Sequence, residues 1–264
     1  SLLNAAAAFN KDGFELFNNR TYVFLGDGCM QEGVASEAAS MAGHLGLKNL
    51  IAFYDDNHIT IDGDTNCAFT EVVGKRLESY NWNVLTVKNG DEDLSALWDA
   101  IVKAQQEKER PTLVCVQTTI GFGSLNQGKA SVHGAPLKED DIAQLKTKFG
   151  FNPEEKFVVP HDVRDAYKSY ADRGAAKHAE WLKLFEEYGK KYSKEYEEIN
   201  RRIAQKLPEG WEKALPTYTP NDKPMATRKL SEIAITSIAA QLPEMLGGSA
   251  DLTGSNLTRW RPPT

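Results

Sequence analysis

The sequence predicts an α/β protein in which a parallel sheet is covered by helices on both faces. Short apolar runs recur between residues 21 and 119, longer stretches with apolar residues at helical spacing separate them, and several runs end in Gly, Asp or Asn. Strands that are buried on both faces read as continuous apolar runs, unlike the alternating pattern of a half-exposed sheet. Such strands separated by helices are typical of βαβ units on a parallel sheet.

The predicted strands are the apolar or β-branched segments of this region, namely residues 22–25, 50–54, 82–87 and 112–119. The predicted helices precede or separate them, and they occupy residues 2–9, 35–47, 70–80 and 94–106. In the last of these helices, Leu94, Leu97 and Ile101 recur at a spacing that places them on one face.

The pattern changes after residue 119. Residues 121–134 are rich in Gly, Ser and Asn without an apolar period, which predicts a loop, and residues 139–149 read as a helix. Residues 163–207 are strongly charged with interleaved aromatic residues. This composition indicates a helical connector with packed rings, because a disordered tail would carry fewer aromatic residues.

The prolines between residues 208 and 224 then indicate an extended linker. A helix over residues 226–241 and a strand over residues 245–251 would begin a second α/β domain. The expected organisation is a first α/β domain over residues 1–150, a helical and extended linker over residues 151–225, and the start of a further α/β domain over residues 226–264.

Both ends of the sequence indicate a fragment. The chain opens with Ser1 instead of an initiator Met, within what reads as the tail of an apolar helix. It ends with Arg261-Pro262-Pro263-Thr264, shortly after the expected new strand. We therefore expect a piece of a longer protein that is truncated at both ends.

Charge and composition exclude several classes of function. The 264 residues include 31 Lys and Arg against 37 Asp and Glu, a net charge of −6, without a basic stripe. Nucleic acid and anionic membrane surfaces are therefore not expected partners. No apolar run reaches membrane-spanning length. Cys29, Cys67 and Cys115 form neither a zinc spacing nor a paired framework, which indicates a reducing compartment such as the cytosol.

Two polar motifs close successive predicted strands. Gly26-Asp27-Gly28 follows the first strand and Asp55-Asp56-Asn57 follows the second. Ligands of α/β proteins bind at the carboxyl edge of the sheet, so we expect Asp27 and Asn57 to meet there. Glycine lets the backbone approach a diphosphate closely, and a helix beginning near residues 31–33 favours the anion. Carboxylate and amide oxygens suit Mg²⁺ or Ca²⁺.

Each motif alone has an ordinary explanation. A lone Gly-Asp-Gly is usually a turn, and Asp-Asp-Asn is a common loop composition. Their combination at strand–helix–strand spacing, with each motif closing a strand, is much more specific. Together they predict a site for a diphosphate and a divalent metal.

Gly26-Asp27-Gly28 through Asn57 resembles the thiamine-diphosphate signature of that enzyme superfamily, and the wider sequence resembles transketolases, most of all fungal members. The resemblance runs in order over nearly the whole chain. The motifs that carry it are GDGCMQEG at residues 26–33, DDNHITIDG at 55–63, TIGFGS at 119–124, SVHGAPL at 131–137, ATRKLS at 226–231, GGSADLT at 247–253 and SNLT at 255–258.

This resemblance implies a thiamine-diphosphate-binding fold, with residues 1–150 as the diphosphate-binding domain and residues 226–264 as the start of the pyrimidine-binding domain. It implies thiamine diphosphate and Mg²⁺ (or Ca²⁺) as cofactors, sugar phosphates as substrates, and a cytoplasmic homodimer for the intact enzyme. The implied reaction moves a two-carbon ketol (glycolaldehyde) unit from a ketose phosphate such as xylulose 5-phosphate to an aldose phosphate such as ribose 5-phosphate or erythrose 4-phosphate, in the pentose phosphate pathway. Little or no turnover is expected from this fragment alone.

Residue roles follow from the same resemblance. The implied metal ligands are Asp27, Asn57 and the main-chain carbonyl of Ile59. The implied cofactor-binding residues are Gly26, Asp27, Gly28, Glu32, Asn57, Ile59, Ile61, His133 and Asp251. Ile61 would pack near the thiazolium ring, and Glu32 would join an acidic network between the two active sites of a dimer. The implied catalytic residue is His133, which would also bind substrate, and the other implied substrate-binding residues are Arg228 and Ser255.

Several of these residues also have an ordinary structural interpretation. By sequence alone, Ile61 is more readily a core residue, and Glu32 a carboxylate in the first turn of a helix. Arg228 could be a solvated arginine at a helix start. A lone histidine in a Gly-rich loop is more often structural or exposed than catalytic, and only its motif favours a catalytic role for His133. Cys29 reads as a small buried residue.

Three other functions compete with transketolase. A dihydroxyacetone synthase shares nearly all of these motifs and would accept formaldehyde. A non-catalytic cofactor-binding fragment would have no need for Asp27, Asn57, His133 and Arg228 together. A plain nucleotide-binding domain lacks support because the sequence contains no Walker-type or dinucleotide glycine pattern.

Overall fold

The structure is a computed structural model that describes residues 2–260. The chain divides into two compact units, Ser1–Lys177 and His178–Thr264, each of which is described by itself. The predicted tail at residues 261–264 lies outside the described residues. The predicted domain boundaries at residues 150 and 225 stay predictions.

The helices of the described residues are α1 (Leu2–Phe9), α2 (Asp27–Gln31), α3 (Gly33–His44), α4 (Val73–Ser79), α5 (Leu94–Gln106), α6 (Glu139–Lys148), α7 (His161–Lys191), α8 (Ser193–Ile203), α9 (Thr227–Ile238) and α10 (Thr253–Asn256). The strands are β1 (Thr21–Gly26), β2 (Leu50–Asp56), β3 (Ile59–Thr60), β4 (Gly63–Asp64), β5 (Asn83–Val87) and β6 (Thr112–Gln117).

The first unit is organised by a parallel four-stranded sheet in the order β1-β2-β6-β5. In the β1–β2 pair the register runs from Thr21 opposite Leu50 to Gly26 opposite Asp55. All three pairings in this sheet are parallel, so the carboxyl ends of the strands lie at one edge. The predicted α/β class is confirmed.

Both faces of the central strands β2 and β6 are buried, as their continuous apolar runs predict. The edge strand β1 is largely exposed, with Phe24 81% exposed, so the prediction of two-sided burial is wrong for β1. Alternate residues of β2 separate to the two sides: Ala52 and Tyr54 pack with α3 and α4, whereas Ile51 and Phe53 pack with α5. Successive side chains of a strand point to opposite faces, so one apolar run supplies both cores. This two-sided packing fixes the strand ends that carry the polar motifs.

Gly43 in α3 is a point of close backbone approach. A methyl group added there would lie 1.7 Å from the carbonyl oxygen of Tyr80. The same contact region contains a hydrogen bond from Trp82 Nε1 to the carbonyl oxygen of Ala39, 2.8 Å long. The absence of a Cβ at Gly43 therefore lets α3 pack against the turn before β5.

Two predicted elements differ from the structure. The helix predicted for residues 70–80 begins only at Val73. The strand predicted for residues 245–251 is wrong, because this segment is irregular and Leu246 is 75% exposed. The described part of the second unit contains no strand that could pair with it, and an apolar run becomes a strand only when its backbone groups find such a partner.

The second unit contains a packed set of aromatic rings, as predicted for the charged connector. Phe185 and Tyr188 are buried. The rings of Phe185 and Tyr196, one on α7 and one on α8, have centroids 4.4 Å apart. Most of the preceding part of α7 is exposed.

An ion-pair cluster joins α8 to the segment after α9. The Arg201 guanidinium lies 2.6 Å from a carboxylate oxygen of Glu198 and 2.8 Å from one of Glu244. Hydrogen bonds from Arg201 hold the pKa of both glutamates below their ordinary value. These charge-assisted bonds connect α8 to the turn that follows α9.

We expect Gly43→Ala to lower the free energy of unfolding by at least about 2 kcal/mol, because the new methyl group collides with the main-chain carbonyl of Tyr80 in the turn before β5. Urea denaturation of the chain measures this. The matched control is Gly174→Ala in α7, where an added Cβ meets open space. That variant should be more stable by about 0.5–1 kcal/mol, since alanine favours the helix. Equal effects at the two positions would contradict the close approach.

Candidate functional site

The two polar motifs meet in a cleft at the carboxyl edge of the sheet. Gly26 ends β1 directly opposite Asp55 of β2, and Asp27 begins α2 at the same edge. The cleft has a volume of about 550 Å³, and its lining residues are Gly26, Asp27, Gly28, Cys29, Glu32, Asp55, Asn57, Ile59, Ile120, His133 and Gly134. The structure thus brings together seven of the predicted site residues, from three separate stretches of the chain.

Asp27 is a buried carboxylate that is only half satisfied. It is 3% exposed, and the Tyr54 hydroxyl donates a hydrogen bond to its Oδ1. Its Oδ2 is buried without a hydrogen-bond partner. Burial raises the pKa of Asp27, opposed by the Tyr54 hydrogen bond. One oxygen is thus held by the protein, and the other is available to a cation.

Asn57 follows β2 and is fixed at both ends of its amide. The main-chain N–H of Ile59 donates to Asn57 Oδ1 over 3.0 Å, and Asn57 Nδ2 donates to Asp55 Oδ2 over 3.2 Å. Between them, His58 has a φ of 61°. This left-handed conformation is uncommon outside glycine, and it turns the chain sharply between Asn57 and Ile59.

His133 enters the cleft from the loop that follows β6. It comes directly after a short 3₁₀ turn, Ala130–Val132. Its Nδ1 is buried and has no hydrogen-bond partner, like Asp27 Oδ2. Most buried polar atoms of folded proteins are paired, so two unpaired atoms lining one cleft indicate a polar ligand.

These residues fit a diphosphate and a divalent cation. Asp27 and Asn57 offer hard oxygen atoms of the kind that Mg²⁺ and Ca²⁺ prefer. Within residues 2–260 no three His, Cys, Asp or Glu side chains are grouped to hold a metal. A cation here would therefore depend on amide, main-chain and ligand oxygens as well as on Asp27. A Cβ at Gly28 would meet open space, which leaves room for a ligand beside that backbone.

Three residues beside the motifs differ from their ordinary interpretations. Ile61 is 75% exposed at the tip of the β3–β4 hairpin, so the core role is wrong. Glu32 is the exposed N-cap residue of α3 and not a member of its first turn, and its side chain makes no capping hydrogen bond. Cys29 is exposed and lines the cleft, so its assignment as a buried residue is wrong.

The remaining predicted residues lie in the second unit. Arg228 is exposed in the first turn of α9, and its Nη1 donates to the main-chain oxygen of Ser255 over 3.1 Å. Asp251 is exposed and has a φ of 54°. The structure therefore brings Arg228 and Ser255 together within this unit.

Sequence reasoning missed two supporting residues. Tyr54 reads as an ordinary apolar strand residue, yet its hydroxyl holds Asp27. Thr118 reads as the end of a strand, yet its hydroxyl donates to Asp55. The signal that could have found Tyr54 is the register, which places it opposite Leu25, two residues before Asp27.

Comparison with known proteins identifies the family of this cleft. A family model described as "Transketolase, thiamine diphosphate binding domain" matches residues 3–208. The chain belongs to the transketolase family. The domain that this model describes binds thiamine diphosphate, in agreement with the signature motif.

Individual transketolases are similar over nearly the whole chain. Transketolase 1 of Saccharomyces cerevisiae is 57% identical over 259 residues, covering 98% of this chain and 38% of that protein. The transketolase of Kluyveromyces lactis is 58% identical, covering 97% of this chain and 38% of that protein. The predicted likeness to fungal transketolases is confirmed, and the chain spans 38% of the length of these relatives.

Solved transketolase structures have the same fold. The Pichia stipitis transketolase in complex with sedoheptulose 7-phosphate superposes with a TM-score of 0.91 at 53% identity, covering 99% of this chain and 39% of that one. The Leishmania mexicana transketolase gives a TM-score of 0.89 at 43% identity, covering 98% and 38%. In the part of the chain that the structure describes, no helix is long and apolar enough to cross a membrane.

Asp27→Asn should change the pH dependence of stability. Burial raises the folded-state pKa of Asp27, so the charged carboxylate destabilises the fold at pH values above that pKa. This penalty is relieved as pH falls through the folded pKa towards the ordinary value. The variant should therefore be stabilised relative to the original chain at pH 8, and its free energy of unfolding should exceed that of the original chain by less at pH 4.5. Urea titrations without metal measure this, and a difference that grows on acidification would contradict it.

Proposed function

We propose that this chain is the part of a transketolase that holds the cofactor diphosphate and its metal. The whole enzyme transfers a two-carbon ketol unit from a ketose phosphate such as xylulose 5-phosphate to an aldose phosphate such as ribose 5-phosphate or erythrose 4-phosphate, in the pentose phosphate pathway. The observation that carries this proposal is the buried, unpartnered Oδ2 of Asp27 at the carboxyl edge of the sheet. A buried carboxylate oxygen without a partner is costly unless a ligand completes it.

The proposed metal ligands are Asp27, Asn57 and the main-chain carbonyl of Ile59, with Mg²⁺ or Ca²⁺ as the ion. Asn57 Oδ1 and the Ile59 backbone are already held next to each other by a 3.0 Å hydrogen bond. Diphosphate oxygens and water would complete the shell, as is usual for Mg²⁺. Both ligand side chains are oriented before the ion arrives, which limits the ordering cost of binding.

The remaining residues of the cleft have proposed roles towards the cofactor. Gly26 and Gly28 would let the backbone approach the diphosphate, and Ile61 would cover the thiazolium ring. The exposed carboxylate of Glu32 would join an acidic network at a homodimer boundary. Ile61 is 75% exposed, which leaves its apolar side chain available to contact the cofactor.

His133 is the proposed catalytic residue. When bound, thiamine diphosphate supplies the carbon nucleophile of this reaction class. The buried Nδ1 of His133 would hydrogen-bond oxygen atoms of substrate or diphosphate where charge changes. A polar atom held in place without a protein partner loses no existing hydrogen bond when it engages a ligand.

Arg228 and Ser255 are the proposed residues for the sugar phosphate, and Asp251 a proposed cofactor contact. A guanidinium suits a phosphate because its donors form a fork. The 3.1 Å bond to the Ser255 carbonyl orients the Arg228 guanidinium and leaves other donors free to bind phosphate. Solved transketolases of Pichia stipitis are complexes with sedoheptulose 7-phosphate and xylulose 5-phosphate, which supports this substrate class.

The proposed organisation of the whole enzyme follows the same family. Residues 1–150 would belong to the diphosphate-binding domain, residues 151–225 to the linker, and residues 226–264 to the pyrimidine-binding domain. The intact protein would be a cytoplasmic homodimer. Because the chain spans 38% of its relatives' length, we expect little turnover from it alone.

Thermal melting of the chain tests the cofactor site. Thiamine diphosphate at about 100 times its dissociation constant should stabilise the fold by about 2.7 kcal/mol, and only when Mg²⁺ is present. The Asp27→Ala variant should lose this shift because its metal ligand is gone. Gly174→Ala, in the exposed first part of α7, serves as the control that keeps it. A shift of equal size in Asp27→Ala would contradict the metal assignment.

A hybrid enzyme tests the activity. This chain replaces the aligned segment of Saccharomyces cerevisiae Transketolase 1, so that the missing parts come from a relative that is 57% identical. We expect ketol transfer from xylulose 5-phosphate to ribose 5-phosphate, and a loss of at least about 100-fold in kcat with His133→Ala. A hybrid that binds cofactor but transfers nothing would contradict the proposal. Efficient use of formaldehyde as acceptor would favour a dihydroxyacetone synthase instead.

A further inference from the structure

The orientation of the Asn57 amide is set by two hydrogen-bond partners, one of which can only donate and the other only accept. The main-chain N–H of Ile59 can only donate, so it must face the amide oxygen, which lies 3.0 Å away. The Asp55 carboxylate accepts from Asn57 Nδ2 at 3.2 Å. An ionised carboxylate can only accept, so it must face the amide nitrogen. A flipped amide would therefore place a donor against the Ile59 N–H and an acceptor against the Asp55 carboxylate.

Asp55 is in turn held by the neighbouring strand. The Thr118 hydroxyl donates to Asp55 Oδ1, while Asp55 Oδ2 accepts from Asn57. Asp56 pairs with Gln117 in the β2–β6 register, so Thr118 lies just beyond that pair at the same edge of the sheet. Each carboxylate oxygen of Asp55 thus has one defined donor.

We propose that Asp55 is a positioning residue for the metal site, supported by Thr118. It holds Asn57 with its oxygen towards the backbone of Ile59, where the proposed cation would bind. The inference rests on the proposed function, because the cation belongs to that function. Residues that orient metal ligands through hydrogen bonds commonly control metal affinity without touching the ion.

The decisive comparison is between loss of the hydrogen bond and loss of the charge. Asp55→Ala removes both, whereas Asp55→Asn keeps an oxygen that accepts from Asn57 Nδ2. Its amide nitrogen can donate to the Thr118 hydroxyl, which also accepts. Thr118→Val removes the supporting donor alone. Asp62→Asn is the matched control, because it removes an exposed carboxylate of the nearby hairpin.

Manganese titration in the presence of excess thiamine diphosphate, followed by the electron paramagnetic resonance of free Mn²⁺, reads out metal affinity. Asp55→Ala should raise the dissociation constant of Mn²⁺ about 10- to 100-fold, and Thr118→Val should raise it by a smaller factor. Asp55→Asn and Asp62→Asn should stay within about threefold of the original chain, since both keep the Asn57 orientation. Unchanged affinity in Asp55→Ala would overturn the proposal. Equal losses in Asp55→Ala and Asp55→Asn would also overturn it, because the charge would then be the operative feature.

Nuclear magnetic resonance of the Asn57 side-chain amide tests the positioning without any metal. Its signals are assigned by their disappearance in Asn57→Asp. The amide protons should be shifted and slow to exchange in the original chain and in Asp55→Asn, but not in Asp55→Ala. If the original chain retains no Mn²⁺ with the cofactor, the proposed function fails while this measurement still decides the role of Asp55. An unchanged Asn57 signal in Asp55→Ala would overturn that role.

Discussion

Parallel hydrogen bonding between β1 and β2 pairs Gly26 with Asp55 and so decides where both polar motifs leave the sheet. Because side chains alternate along β2, Tyr54 and Asp55 face opposite sides of the same edge. Tyr54 reaches Asp27, and Asp55 reaches Thr118. A slip of β2 by one residue against its neighbours β1 and β6 would exchange these faces and separate both contacts. The two apolar cores hold β2 between the helices on its two sides, so packing along the length of β2 fixes the strand end that carries Asp55.

Some polar atoms of the cleft residues have hydrogen-bond partners within the protein, and others have none. Asp27 Oδ1 and both ends of the Asn57 amide have protein partners, whereas Asp27 Oδ2 and His133 Nδ1 have none. Random defects of packing would not be expected to gather unpaired atoms around one cleft. The division indicates a surface formed in advance for a polar ligand, with rigidity supplied by the sheet and binding capacity by the atoms left open.

Local signals predicted most of the sheet, and long-range contacts explain what they missed. The strands and α5 follow from apolar runs, helical spacing and the polar residues that close each run. The segment 245–251 begins with the apolar residues Met245 and Leu246, but it has no strand to pair with among the described residues of its unit. Ile61 is apolar and therefore reads as a core residue, but the β3–β4 hairpin exposes its side chain to solvent. The role of Tyr54 depends on a partner 27 residues away, which no local pattern reveals.

Electrostatics links the two proposed ligands of the cleft to each other. Asp27 and Asp55 line it, and burial, followed by the like charge of Asp56, raises the pKa of Asp27. A diphosphate entering alone would add further negative charge to this acidic edge. A divalent cation held by Asp27 and Asn57 would reverse the sign of the local field and so favour a diphosphate beside it. Metal and diphosphate should therefore bind cooperatively, and by linkage each should tighten the other by the same factor. The fold contributes to this coupling by keeping Asp27 buried, since the interaction between charges weakens as water enters.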